Sequence, residues 1–168
     1  IIYPLLQGFD SVVMDVDLEL GGRDQLFNMM VGRQLQRDIN DHEKFVLGVP
    51  LLVGSDGLKM GKSLNNYIPL LATPEDMYGK IMSIVDEVIP EYFRLLTDVP
   101  TAEVDTLTAQ LDNGSLHPME AKKQLAHVLV SFFHSEDAAR SAAEHFERTV
   151  QAKEVPENIP RLSFSTGM

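Results

Sequence analysis

No cysteine occurs among the 168 residues, which removes disulfides and thiolate metal sites and fits a reducing compartment. No apolar run approaches the roughly 20 residues of a membrane span, and no signal-peptide pattern opens the chain. A membrane partner is not expected, and the cytoplasm is the expected location. The five histidines, at positions 42, 117, 127, 134 and 145, show no metal-ligand spacing with a partner acid or thiol. Surface or capping roles are expected for them, and no protein-bound metal. Positive charge is scarce: 14 Lys and Arg against 25 Asp and Glu leave a formal net charge of −11. That excludes a generally basic nucleic-acid coat but leaves room for a local basic patch. Internal repeats and low-complexity segments are also lacking. A chain of this length buries roughly 68–70% of its unfolded surface, so no covalent staple is needed.

What is present centres on residues 54–66, Gly-Ser-Asp-Gly-Leu-Lys-Met-Gly-Lys-Ser-Leu-Asn-Asn. Lys59 and Lys62 stand among glycines and a serine. Glycine lets backbone approach a ligand, and lysine brings a mobile point charge to phosphate. The phosphate loop of nucleotide hydrolases does not fit. It needs four residues between its first glycine and Gly-Lys-Ser, and Gly57 is one residue too close to Gly61. The following Leu-Asn-Asn-Tyr-Ile-Pro is also a poor helix start.

Taken in order, the chain opens at Ile1 in an apolar stretch and reads as an excerpt from a longer protein. Pro4 opens a helix over 3–13, with Tyr3, Gln7 and Asp10 at i, i+4 and i+7 on one face. Residues 15–20 alternate acid and apolar, predicting a half-buried strand with Asp15, Asp17 and Glu19 on a solvated face. Gly21-Gly22 ends it, and Asp24 is placed to cap a helix reaching about Asp38. Asn40-Asp41-His42 is a turn. A further strand from about Phe45 leads through Val53 into the lysine loop, interrupted at Gly48 and Pro50. Thr73-Pro74, Pro100-Thr101, His117-Pro118 and Ser135-Glu136 are helix starts, and no strand pattern appears between 73 and 150. About five helices are expected there. Residues 154–168, with Pro156 and Pro160, read as a linker.

Lys59-Met60-Gly61-Lys62-Ser63 resembles the Lys-Met-Ser-Lys-Ser signature of class I aminoacyl-tRNA synthetases, with Gly61 in place of the middle serine. Tyr3-Pro-Leu-Leu-Gln7-Gly-Phe-Asp10 resembles the amino-acid-binding helix of bacterial-type tyrosyl-tRNA synthetases, and Gly21-Gly22-Arg23-Asp24-Gln25 their Gly-Gly-x-Asp-Gln segment. The order and spacing of the three motifs match that family across nearly the whole chain. The resemblance implies an α/β fold: the second half of a Rossmann-like catalytic domain over 1–70, then a helical anticodon-binding domain over 71–153, then the linker. The His-x-Gly-His signature that the family uses in its first nucleotide-binding half does not occur.

The resemblance further implies ATP-dependent activation of tyrosine and transfer of the tyrosyl group to tRNA(Tyr). ATP enters as a substrate with Mg2+, and the parent enzyme is expected to be a homodimer. By the same resemblance, Asp10 accepts the phenol O–H, Tyr3 and Gln7 meet the amino end, and Gln25 lies near the reacting carboxylate. Asp24 competes as a helix cap. Lys59 and Lys62 would neutralise the departing pyrophosphate, with Gly61 and Ser63 completing the ATP-contacting loop. Gly54, Gly57 and Gly61 would keep it mobile. The isolated chain is expected to be inactive. A tryptophanyl-tRNA synthetase piece is the nearest alternative, although an indole offers a single N–H donor and fits the Tyr3, Gln7, Asp10 face less well. A non-catalytic helical RNA-binding or interaction module is the other, with Lys122, Lys123, Arg140, Arg148 and Lys153 as candidate phosphate contacts. The acidic balance speaks against avid non-specific RNA binding.

Overall fold

The computed structural model describes residues 2–151, so Ile1, Lys153 and the expected linker over 154–168 lie outside the described residues. The chain divides by packing into two compact units between Leu51 and Leu52. The boundary read from the sequence at 70/71 separates chemistry from helices. The packing boundary falls earlier because Leu52, Val53, Ile68 and Ala72 are partly buried against the helical core.

In the first unit, α1 (Tyr3–Met14) begins with Pro4 in its first turn and ends at Asp15, which adopts a left-handed φ of 51°. The strand β1 (Leu18–Gly22) leads through a 3-10 turn (Arg23–Gln25) into α2 (Leu26–Asn40) and then β2 (Phe45–Val49). The two strands pair in parallel, Leu18 opposite Phe45 and Gly22 opposite Val49. Parallel neighbours need a crossover, and α2 supplies it. Pro50, with no N–H to donate, ends β2 before the expected Val53. Helices α1 and α2 meet where neither carries a side chain: a Cβ on Gly8 would lie 3.1 Å from the Gly32 nitrogen.

Three expectations for this unit are corrected. Asp15 lies outside β1, as the left-handed cap of α1. Glu19 does not belong to a solvated face: the alternation of β1 turns Glu19 inward and leaves Leu18 and Leu20 exposed. Asp24 is not the cap of α2, because the 3-10 turn contains it and Gln25 occupies the cap position without a side-chain cap bond.

Beyond the loop, the second unit has five α-helices among the described residues: α3 (Pro74–Met82), α4 (Ile89–Leu96), α5 (Thr101–Asp112), α6 (Pro118–Phe133) and α7 (Glu136–Phe146). The starts read from the sequence are built as capping chemistry requires. Thr73 Oγ1 accepts the Asp76 N–H, and Ser135 Oγ accepts the Ala138 N–H, each at 3.2 Å. His117 Nδ1 accepts the Met119 N–H at the head of α6. Ile81, Ile89, Val104, Leu125 and Val130 are fully buried and form the centre of one apolar core. Among the described residues, no helix is long and apolar enough to cross a membrane.

Candidate active site

The lysine loop stands on a tight hairpin in the second unit. Val53 and Lys59 form an antiparallel bridge, the Gly54 N–H donates to the Leu58 carbonyl at 2.7 Å, and the Gly57 N–H donates to the Gly54 carbonyl at 2.9 Å. Asp56 Oδ1 accepts the Leu58 N–H at 3.0 Å, an Asx turn that fixes the bend. Two of the three glycines have a specific structural reason beyond mobility. Gly57 has a φ of +77°, a conformation that L side chains avoid. A Cβ on Gly54 would sit 2.2 Å from Asn66 Nδ2, so only glycine fits. Gly61 meets nothing closer than 3.9 Å and is free of such a constraint.

Asn66, only 4% exposed, holds this loop from beneath. Its Oδ1 accepts the Gly61 N–H at 3.0 Å, and its Nδ2 donates to Asp56 Oδ1 at 2.8 Å and, at 3.3 Å, to the Lys59 carbonyl. The bond from Asn66, with one from the Leu58 N–H, keeps the Asp56 carboxyl below its ordinary range. Tyr92 Oη donates to the Val53 carbonyl at 2.9 Å and so ties the foot of the hairpin to α4. Met60 lines an apolar cavity of about 90 Å³ with Leu52, Ile68, Met77, Leu129 and Phe133. The methionine of the signature thus faces an apolar pocket, while Lys59 and Ser63 are exposed. Lys62 opens a 3-10 turn, Lys62–Leu64.

In the first unit, Tyr3 (68% exposed) and Asp10 are open to solvent on α1, and Gln7 is half-buried between them in sequence. Gln7 Nε2 donates to Glu19 Oε1 at 2.9 Å. Glu19 Oε2 pairs with the ammonium of Lys44, a side chain with 0% exposure, which also donates to Ser11 Oγ at 2.7 Å. Gln25 Oε1 accepts from Asn28 Nδ2 at 2.9 Å. On the same unit, His42 bridges two acids, Nδ1 to Asp15 at 2.7 Å and Nε2 to Asp17 at 3.0 Å. The hydrogen bond with Asp15 is the main reason the His42 imidazole is held above its ordinary pKa.

The sequence reading missed Glu19, Lys44 and Asn66 as parts of the site. No local signal marks them: Glu19 and Lys44 meet partners 12 and 33 residues away, and Asn66 meets its partners only where the loop closes. Of the candidate phosphate contacts, Lys122 pairs with Asp86, Lys123 with Glu147 and Arg140 with Asp137. These intramolecular acids spend much of the positive charge that RNA would need. Among the described residues, no cluster of three or more His, Asp or Glu could hold a metal ion.

The described residues thus present a parallel β–α–β unit, a lysine hairpin packed on a helical core, and an amide-bearing helix face. The chain belongs to the family described as tRNA synthetases class I (W and Y), whose model matches residues 1–151. Within that family, the chain is similar to curated tyrosine–tRNA ligases. It is 46% identical over 165 residues to the tyrosine–tRNA ligase of Desulfotalea psychrophila, covering 98% of this chain and 41% of that protein. With tyrosine–tRNA ligase 2 of Photorhabdus laumondii the identity is 51% over 174 residues, covering 99% of this chain and 43% of that protein. The chain therefore spans about two fifths of the length of these curated relatives. Among solved structures it resembles the tyrosyl-tRNA synthetase of Archaeoglobus fulgidus, complexed with L-tyrosine, at 28% identity and a TM-score of 0.66, covering 84% of this chain and 51% of that one. The tyrosyl-tRNA synthetase of Aeropyrum pernix shares the fold with a TM-score of 0.65 at 24% identity, covering 90% of this chain and 52% of that one.

Proposed function

We propose that this chain supplies the tyrosine-recognising and pyrophosphate-stabilising parts of a tyrosine–tRNA ligase. Residues 1–70 would form the second half of a Rossmann-like catalytic domain, 71–153 an anticodon-binding domain and 154–168 a linker. The exposed apolar face of Leu18, Leu20, Phe45 and Leu47 suits a strand pair within a larger covered sheet, since parallel sheets are buried on both faces. The further chain found in the relatives would cover it. The working enzyme would be a cytoplasmic homodimer.

In the first step, a tyrosine carboxylate oxygen attacks the α-phosphorus of ATP. A phosphorus–oxygen bond to pyrophosphate breaks, giving tyrosyl-adenylate. In the second, the tyrosyl group passes to the 3′ end of tRNA(Tyr) and AMP leaves. Such transfers are catalysed mainly by positioning and by stabilising charge. Lys59 and Lys62 neutralise the charge growing on the departing pyrophosphate, and Ser63 adds a hydroxyl donor. ATP is a substrate, bringing Mg2+ on its phosphates. Asp10 accepts the phenol O–H, so phenylalanine would leave a polar group unpaired. Tyr3 and Gln7 meet the ammonium, and Gln25 lies near the carboxylate.

The observation that carries this reading is the hairpin held by Asn66, with Lys59 and Ser63 exposed on it. The test is tyrosine-dependent ATP–pyrophosphate exchange. The 168-residue chain alone should show none, and the same chain joined to the remaining part found in its relatives should show it. In that longer protein, Lys62→Ala should lower the adenylation rate by about 10²–10³, as for loss of one oxyanion donor, with little change in tyrosine affinity. Lost tyrosine binding at an unchanged rate would overturn the assignment.

A further inference from the structure

Packing alone does not call for the Glu19–Lys44 pair. Lys44 is wholly buried, and its ammonium fills the space that the missing side chain of Gly32 leaves: a Cβ there would lie 2.6 Å from Nζ. Well-packed apolar residues often replace a buried ion pair with no loss of stability. The chain instead places an ammonium at the α1–α2 crossing, and with it fixes one carboxylate. The other oxygen of that carboxylate receives Gln7.

The chemistry of that contact has one orientation. An ionised carboxylate only accepts, so the Gln7 amide must turn its NH2 toward Glu19. The amide carbonyl oxygen is then the end left for something else. Lys44, Gln7 and Ser11 hydrogen-bond the Glu19 carboxyl against the opposing effect of burial and hold it below its ordinary range, which keeps it an acceptor at neutral pH. With a neutral partner at position 19, the amide could sit either way round.

We propose that Glu19, anchored by the buried Lys44, is a positioning residue that fixes the Gln7 amide with its carbonyl oxygen presented to the ammonium of the amino-acid substrate. This rests on the reading that Gln7 meets the amino end of tyrosine. A carbonyl oxygen is the group an ammonium needs, since an ammonium only donates.

The test uses the chain joined to the remaining part found in its relatives. It compares L-tyrosine with 3-(4-hydroxyphenyl)propionate, which lacks the amino group. Glu19→Gln, which keeps the size of the side chain, should raise KM for tyrosine about tenfold, the equivalent of one hydrogen bond to a charged group. Its kcat should change little, and binding of the desamino analogue should not change. Gln7→Ala should erase the same preference, and adding Glu19→Gln to it should make no further difference. Should Glu19→Gln fold poorly, the apolar replacement Glu19→Leu with Lys44→Met should fold and show the same loss of preference. Equal weakening of tyrosine and the analogue would overturn the proposal, as would a full Glu19→Gln effect on top of Gln7→Ala. If Gln7→Ala itself left the preference intact, the reading of Gln7 would fall first and the proposal with it.

Discussion

Asn66 Oδ1 accepts the backbone N–H of Gly61 at 3.0 Å while the nitrogen of the same amide donates to Asp56 Oδ1 at 2.8 Å. One buried side chain thus closes both ends of the lysine loop. Asn66→Ala would leave the Gly61 N–H, the Lys59 carbonyl and Asp56 without that partner. The expected loss is about 1–3 kcal/mol of stability in the second unit, the cost of stranding such groups. Urea unfolding measures the loss, and amide hydrogen exchange at Gly61 should accelerate. Unchanged exchange there would mean that Asn66 does not hold the loop.

Tyr92 offers a milder version of the same experiment. Its ring belongs to the buried core and its hydroxyl donates to the Val53 carbonyl. Tyr92→Phe keeps the ring and removes only the donor, so it should cost about 1 kcal/mol in chemical denaturation. A cost near that of removing the whole ring would place the hydroxyl in some further interaction.

For the buried pair in the first unit, Lys44→Met should cost about 3 kcal/mol, the low end for breaking a buried pair, because Glu19 keeps 21% of its side chain exposed. Adding Glu19→Leu to that variant should restore much of the loss. Denaturation of the single and double variants decides it, and a double variant less stable than Lys44→Met would show that the pair is stabilising in its own right.

The Asp15–His42–Asp17 clasp sets a pH dependence with a definite sign. His42 is raised from 6.5, so its contribution to stability is complete below about 6.5 and is lost as pH rises through its folded value. Asp15 is lowered from 3.8, chiefly by its hydrogen bond with His42, so its contribution is complete above about 3.8 and lost as pH falls through its folded value. The clasp should therefore hold best between these limits. Proton NMR of the His42 ring should place its midpoint above 6.5, and Asp15→Asn should bring that midpoint down.

The helical half was readable because its signals are local. A cap oxygen and the N–H it receives lie three residues apart, as at Thr73 and Ser135, and proline marks the first turn of α3 and α6. The lysine loop and the α1 face were legible as patterns of residue type. The inward turn of Glu19 was not. Alternation in β1 defines two faces without saying which is covered, and the apolar one, Leu18 and Leu20, is the exposed one here. What draws Glu19 inward is an ammonium 25 residues later in the chain. Lys44 in turn reads as an ordinary lysine before a strand. Asp24 had every sequence mark of a cap, but a 3-10 turn that no residue in it announces moves the start of α2 past it. Asn66 went unseen because its partners are set by the closing of a loop.

The meeting of Gly8 and Gly32 has a consequence for reading variation at these positions. Alanine for glycine on a helix interior ordinarily counts as a mild gain in helix preference. At position 32 the added methyl would enter the space held by the Lys44 ammonium. A change neutral in charge would then act as an electrostatic one, loosening the carboxylate on β1 and the amide on α1 without touching either.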